Sequence, residues 1–171
     1  MASSRRSAWG SALSRSGGLA YHFAAWRHGH LWADHQAATA QFLGAWQPSE
    51  QKLVLVGTSA GYSLSNALFE RFSEVRASEP DPVARRLFRR RFPEVQIQWL
   101  DDDFVSPRNG AMSVAGLTEL RALFADHAVL FCNILGQLPF LFAEASGEGF
   151  ARYLGEIPSA LQGASWASYH D

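Results

Sequence analysis

The chain has 171 residues, of which 47% are hydrophobic and 18% charged, and its formal net charge is −1. This length predicts a single domain with a full hydrophobic core, and the near-zero charge argues against a protein that coats nucleic acid or an anionic membrane. No apolar stretch reaches the roughly 18 residues of a membrane span, and the start lacks a secretory segment, so we expect a cytoplasmic protein without membrane contact.

Residues 1–50 are predicted to form a flexible arm and a helical cap. Residues 1–18 are rich in serine, arginine and glycine, a composition typical of loosely held segments. Residues 19–46, which we call the N-terminal cap, contain many aromatic side chains without β-type alternation. This pattern predicts one or two amphipathic helices with a break near Gly29.

The N-terminal cap contains four histidines, His22, His28, His30 and His35. His22 and His28 are six residues apart, and His30 and His35 are five apart, so neither pair has the spacing of three or four that aligns side chains on a helix. We interpret these histidines as solvent-facing or hydrogen-bonded, and we expect no metal site.

The first predicted strand is the continuous apolar run Leu53–Val56, which is typical of a buried strand in a parallel sheet. It ends at Gly57, Gly61 follows four residues later, and apolar residues then recur at helical spacing over residues 64–72. A strand, a turn of small residues and a helix present backbone N–H groups to a ligand. We therefore look for the function here.

The turn itself fits two chemistries. As a nucleotide loop, Gly57 and Gly61 let the backbone turn tightly and approach a ligand closely. The letters of residues 57–61 also match G-x-S-x-G, the nucleophile elbow of serine hydrolases, with Ser59 as the nucleophile. The turn alone leaves both interpretations open.

The second predicted strand, residues 75–79, ends in Glu79, which lies 22 residues beyond Gly57. In dinucleotide-binding folds an acid about 20 residues after the loop binds the ribose hydroxyls. A carboxylate at the carboxyl end of a neighbouring strand can accept both hydroxyls, and bonds to charged groups contribute about 1.5–3 kcal/mol each. We interpret Glu79 as a ribose ligand; the alternative is that it only begins a turn with Pro80.

Asp81 and Pro82 open a predicted helix that runs through Arg91, with Asp81 as its N-cap. Residues 85–91 include five arginines, and nucleic-acid contact is one interpretation of them. Because the chain is neutral overall and few aromatic residues interleave, we interpret them as a solvated helix face. No nucleic-acid partner is expected.

The later elements continue the alternation of strand and helix. The fourth strand is again apolar and contains Cys132, the only cysteine, which excludes an internal disulfide and predicts a small buried core residue. The predicted elements are a strand at 95–100, three acids at 101–103, a loop at 105–116, a helix at 117–125, a strand at 128–132, a helix at 150–161 interrupted at Pro158, and a strand at 164–169.

The order of these elements and four segments resemble the class I S-adenosylmethionine-dependent methyltransferases from Lys52 to Tyr169. The segments are Leu53–Ser63, Glu79 with Pro80, the acids 101–103, and Phe131–Leu138. The resemblance implies an α/β fold: a Rossmann-like three-layer sandwich whose five-stranded parallel sheet has the order 3-2-1-4-5 behind the N-terminal cap. Residues 51–171 would form the cofactor-binding domain.

The resemblance also implies a cofactor, S-adenosylmethionine, and a set of residues that bind it. The turn, with Gly57, Thr58, Ser59 and Gly61, would face the methionine part of the cofactor. Glu79 would bind the ribose, either Asp102 or Asp103 would meet the adenine, and Asn133 would lie beside the transferred methyl group. Catalysis would depend on positioning. The methyl acceptor, a small molecule or a protein, and any proton-transfer residue stay unassigned.

Three positions or features depart from that family. Leu55 stands where family members usually carry an acid two residues before the loop glycine, and Ser59 replaces the middle glycine. The family's sheet usually has seven strands, whereas this sequence ends after the fifth. The fifth strand is then an open edge that a homodimer or a partner segment would cover. A fragment, a reduced family member and a non-catalytic binding domain all fit these departures.

A serine hydrolase is the competing enzyme class. The turn is similar to that of patatin-like lipid hydrolases, but no aspartate in the chain precedes a glycine, as their catalytic aspartate does. For an α/β-hydrolase the order Ser59, Asp126, His170 fits, yet that fold places several strands before its nucleophile. His170 is also the penultimate residue.

Overall fold

The computed structural model of the protein describes residues 22, 23, 25, 27–107, 111–141 and 147–170. The predicted arm at residues 1–18 lies outside the described residues, as do Asn109 and Gly110 of the predicted loop. The strands are β1 Lys52–Val56, β2 Glu74–Ser78, β3 Ile97–Leu100, β4 His127–Cys132 and β5 Trp166–Tyr169. The α-helices are α1 Ala33–Ala45, α2 Asn66–Phe69, α3 Pro82–Arg91, α4 Ala115–Leu123, α5 Leu138–Leu141 and α6 Gly147–Ala160.

The described strands form a five-stranded parallel sheet with the order β3-β2-β1-β4-β5. This is the predicted order, and it is confirmed. β1 lies at the centre, where Leu53 pairs with Val75 of β2 on one side and with Ala128 of β4 on the other. Every residue of β4 is buried, as expected for a parallel strand with helices on both faces.

Two apolar clusters cover the two faces of the sheet, so the fold has three layers. Because side chains alternate along a strand, Leu53 and Leu55 of β1 face one cluster, and Val54 and Val56 face the other. The first cluster includes residues of α1, α2 and α3, and the second includes residues of α4 and α6. Leu55, at the position of the family's acid, is 0% exposed, and Cys132 is buried as predicted.

The helix after the turn is much shorter than predicted. α2 spans only Asn66–Phe69, whereas the apolar spacing predicted a helix over residues 64–72. Residues 57–64 instead form two successive tight turns, in which Gly61 N–H donates to the Thr58 carbonyl and Leu64 N–H to the Gly61 carbonyl. Only 17 residues join β1 to β2, and the two turns use the first eight of them before α2 begins at Asn66.

Two further details differ from the prediction. Pro158 lies inside α6 rather than interrupting it, and it stands in the last turn, near the end of the helix. The N-terminal cap contains a 3₁₀ helix at Gly29–Trp32 followed by α1, but α1 is not clearly amphipathic. Leu43 of α1 is buried in the core, while its neighbour Phe42 is 44% exposed.

A polar cluster marks the amino-terminal edge of the sheet. Lys52 Nζ donates to Asp126 Oδ2 at 2.6 Å and lies 3.6 Å from Glu74 Oε2, and His127 Nδ1 lies 2.7 Å from Asp126 Oδ1. The hydrogen bond from Lys52, followed by that from His127, lowers the pKa of Asp126 to about 2. These contacts join the first residues of β1, β2 and β4. Within the described residues, no helix has the length and apolar character needed to span a bilayer.

Candidate functional site at the carboxyl edge of the sheet

The carboxyl ends of β1, β2, β3 and β4 bring the predicted site residues to one edge. In open α/β sheets ligands bind in the crevice outside these strand ends. Gly57 follows β1, Glu79 follows β2 and Asn133 follows β4. Gly57 N–H donates to the Ser78 carbonyl at 2.9 Å, which extends the β1–β2 pairing into the turn.

The turn after β1 needs a left-handed backbone at three positions, Gly57, Ser59 and Gly61, whose φ angles are +72°, +48° and +68°. Glycine adopts this region without steric cost. A side chain at Gly57 would also place a Cβ 2.7 Å from Ile134, the residue after Asn133. The turn is therefore packed directly against the end of β4, which closes one side of the crevice.

Ser59 occupies the middle position of the turn with the backbone conformation that a glycine would have. A left-handed non-glycine residue costs roughly 1–2 kcal/mol, so other contacts must hold this conformation. Ser59 N–H donates to Glu79 Oε2 at 2.7 Å. The Thr58 side chain is buried, and its hydroxyl donates to the Ser59 carbonyl at 3.2 Å.

Glu79 joins the turn to the start of α3. Its other oxygen, Oε1, accepts the Asp81 N–H at 3.0 Å, and the residue is 6% exposed. Burial raises the pKa of Glu79 from 4.5 to about 7, although the two backbone hydrogen bonds act in the opposite direction. A carboxylate has about four lone-pair sites, so Glu79 keeps acceptor capacity for two hydroxyls beyond these two N–H groups. In the ionised form, these two remaining acceptor positions fit the two hydroxyls of a ribose.

Asp102 and Asp103 follow β3 and differ in their surroundings. Asp103 Oδ1 accepts the N–H groups of Val105 and Ser106 at 3.1 and 3.0 Å, so this carboxylate stabilises its own turn. Asp102 is exposed, and its carbonyl accepts the Ser78 hydroxyl at 2.7 Å. Asp102 therefore lies beside the end of β2 with its side chain open to solvent.

Asn133 also has a left-handed backbone, with φ +57°. Its N–H donates to the Tyr169 carbonyl at 2.9 Å, which extends the pairing of β4 with β5 by one residue. Asparagine tolerates this conformation better than most residues. The strand thus ends abruptly at the crevice, next to the Ile134 side chain that packs on the turn.

The hydrolase triad is not assembled. Asp126 lies at the amino-terminal edge of the sheet, bonded to Lys52 and His127, whereas Ser59 lies beyond the carboxyl end of β1. β1 separates them, with a rise of about 3.3 Å per residue. No described histidine hydrogen-bonds to Ser59, and His170 lies near Gly136. The order Ser59, Asp126, His170 is therefore wrong as a catalytic triad.

The spacing of residues in the sequence did not predict two sets of side-chain contacts beside this edge. Arg85, interpreted as part of a solvated face, donates to the carbonyls of Glu79 and Leu100 and so ties the end of β2 to the end of β3. His22 is 6% exposed, and its Nδ1 lies 3.0 Å from the Tyr62 hydroxyl. These partners are 40 residues apart, so no local motif could indicate them.

Comparisons with known proteins add a similarity to a solved structure. No family model and no curated protein matches the chain. Among solved structures it is similar to SAM-bound CalS10, an amino pentose methyltransferase from Micromonospora echinaspora involved in calicheamicin biosynthesis. The identity is 20% and the TM-score 0.44, over 84% of this chain and 52% of that chain, so this chain spans about half the length of that structure. The strand order and the two helical layers fit a class I methyltransferase-like fold.

Proposed function

We propose that this chain binds S-adenosylmethionine at the carboxyl edge of β1, β2 and β4 and transfers its methyl group to an acceptor in the cytoplasm. The observation that carries the proposal is the contact between Glu79 and the turn. One carboxylate, at the end of β2, holds the N–H of Ser59 in the turn after β1. That places an acid with spare acceptor capacity beside a turn of left-handed residues, at the edge where such folds bind ligands.

Each part of the cofactor has a residue that would hold it. Glu79 accepts the ribose hydroxyls, and Asp102 rather than Asp103 meets the adenine, because Asp103 already accepts two backbone N–H groups. The turn from Gly57 to Gly61 faces the methionine part, and Asn133 lies at the end of β4. When bound, S-adenosylmethionine supplies an electrophilic methyl group.

The chain's own contribution is then to orient the cofactor and the acceptor and to enclose them in the crevice. Arg85 fixes the ends of β2 and β3 relative to each other, and Ile134 fixes the turn against β4. A crevice with rigid walls holds two reactants in one geometry, which replaces a collision by a unimolecular step. No side chain is assigned to move a proton.

Calorimetry with S-adenosylhomocysteine tests the cofactor site. At a pH above 7, where Glu79 is ionised, we expect saturable binding that Glu79→Gln weakens about tenfold or more, because each lost hydrogen bond to a charged acceptor costs about 1.5–3 kcal/mol. Glu74→Gln is the matched control, since Glu74 lies on the same strand at the opposite edge of the sheet. Equal affinity in the two variants would remove Glu79 from the site.

A non-catalytic binding domain is the second candidate, and the burial of Leu55 favours it. The family's acid at this position contacts the amino-acid end of the cofactor, whereas Leu55 is 0% exposed within the core. Saturable binding of the cofactor without transfer of a labelled methyl group to any extract component would support this candidate over the methyltransferase.

A further inference from the structure

A second cavity lies outside the crevice, between the N-terminal cap and one face of α3. Its volume is about 610 Å³, within the range of small-molecule pockets. Its walls include apolar Phe23, Val83 and Leu87 and polar His22, Tyr62 and Arg91.

α3 provides one wall of this cavity. Val83, Leu87 and Arg91 follow one another at intervals of four residues, and so lie on the same helix face. At 1.5 Å per residue the wall is about 12 Å long from Val83 to Arg91. This wall therefore presents two apolar side chains in sequence and then a cation.

Arg91 is held in place without neutralisation. Its guanidinium carbon lies 5.2 Å from the centroid of the Tyr62 ring, within the range of a cation–π contact, which leaves the positive charge without a counter-charge. Arg85 on the same helix pairs with Asp101 at 3.4 Å. No described carboxylate forms an ion pair with Arg91.

The His22 side of the cavity is polar, and a buried carboxylate lies behind this histidine. Asp81 Oδ2 lies 3.5 Å from His22 Nε2, and Asp81 Oδ1 accepts the Val83 N–H as the N-cap of α3. Asp81 is 7% exposed. Like charges repel strongly where water is excluded, so this end disfavours a second anionic group on a ligand.

We propose that this cavity binds a small organic monoanion with an apolar body. Its carboxylate pairs with Arg91, and its body lies along Leu87 and Val83 towards His22. A neutral ligand leaves the cation without a counter-charge, and a dianion brings its second charge to Asp81. Tyr62 joins this cavity to the turn after β1, but the proposal does not depend on cofactor binding at the carboxyl-edge crevice.

Amide-detected NMR titration of the full chain with 4-phenylbutyrate and its neutral amide, 4-phenylbutanamide, tests this proposal. We expect the acid to bind about tenfold more tightly than the amide, with shifts at Val83 and Leu87, because only the acid forms a charge-assisted pair with Arg91. Arg91→Gln should bring the acid to the affinity of the amide. Arg90→Gln, which removes the same charge one residue away and outside the lining, should change nothing.

Three results would overturn the proposal. Equal binding of acid and amide would show that Arg91 does not select an anion, and an equal loss in Arg90→Gln would show a general effect of net charge. The third result is that neither probe binds, while the chain self-associates and Arg91→Gln abolishes this self-association. That result would show that the cavity binds a second copy of the chain. Leu87→Phe, which narrows the cavity without changing charge, should weaken both probes.

Discussion

At Ser59, a hydrogen bond to Glu79 stabilises a left-handed backbone conformation that usually requires glycine. The left-handed backbone at Ser59 costs roughly 1–2 kcal/mol, and the bond from its N–H to a buried carboxylate offsets this cost. This hydrogen bond contributes about 0.5–1.5 kcal/mol while Glu79 is protonated and about 1.5–3 kcal/mol when it is ionised. The sequence indicated both residues as members of the site, but the bond between them joins residues 20 apart and became visible only in three dimensions.

The raised pKa of Glu79 predicts a pH-dependent stability. Folded Glu79 keeps its proton up to about pH 7, whereas the unfolded chain releases it near pH 4.5. Its contribution, roughly 3 kcal/mol, is fully present below pH 4.5 and is lost as the pH rises to 7. Urea unfolding across this window should show falling stability in the wild type.

Glu79→Gln provides the comparison for that measurement, because glutamine stays neutral at every pH. We expect its free energy of unfolding to lack this decline between pH 4.5 and 7, whatever its absolute value. Parallel pH profiles of wild type and variant would contradict the buried, proton-retaining state of Glu79.

At the scale of elements, the sequence predicted correctly those segments that carry a clear local signal, such as a continuous apolar run or a helix-capping pair. The apolar runs of β1 and β4 and the Asp81-Pro82 start of α3 were all found at nearly their true positions. α2 failed because its apolar residues fill the core from a turn-rich segment. Helical spacing of apolar residues thus predicts which side chains face the core, whereas the hydrogen-bonded turns at residues 57–64 decide where the helix begins.

Two helical glycines give a sharper test of packing. Gly116 in α4 has no room for a side chain, because a Cβ there would lie 2.2 Å from the Phe104 carbonyl oxygen. Gly155 in α6 has nothing within 4 Å. We expect Gly155→Ala to stabilise the fold by about 0.5–1 kcal/mol through helix propensity and Gly116→Ala to destabilise it by about 2 kcal/mol or more.

Chemical denaturation of both glycine variants measures this difference. Helix propensity alone predicts a higher free energy of unfolding for both variants. A stabilised Gly116→Ala protein would therefore show that α4 does not pack closely on the residues after β3.

At the scale of the whole molecule, the feature to test is the outer edge of β5, which pairs with no other described strand. β5 pairs with β4, and the Val129 and Asn133 N–H groups donate to the carbonyls of Ser165 and Tyr169. Because successive residues of a strand direct their hydrogen-bonding groups to opposite sides, Ser168 directs its N–H and carbonyl away from β4. We propose that a second copy of the chain covers this edge.

Sedimentation of wild type and Ser168→Pro tests the dimer. Proline removes the outward N–H but leaves the bonds to β4, so the wild type should dimerise with rising concentration and the variant should stay monomeric and folded. A wild type that is monomeric at every concentration would contradict the proposal.

The central claim is that one edge of the sheet binds an adenosine-containing cofactor, with Glu79 on its ribose. Crystals of the chain grown with S-adenosylhomocysteine test this most directly. The account predicts a nucleoside beyond the ends of β1 and β2, with both ribose hydroxyls on the Glu79 carboxylate and the adenine beside Asp102. A nucleoside bound elsewhere, or a crevice left empty at saturating ligand, would contradict it.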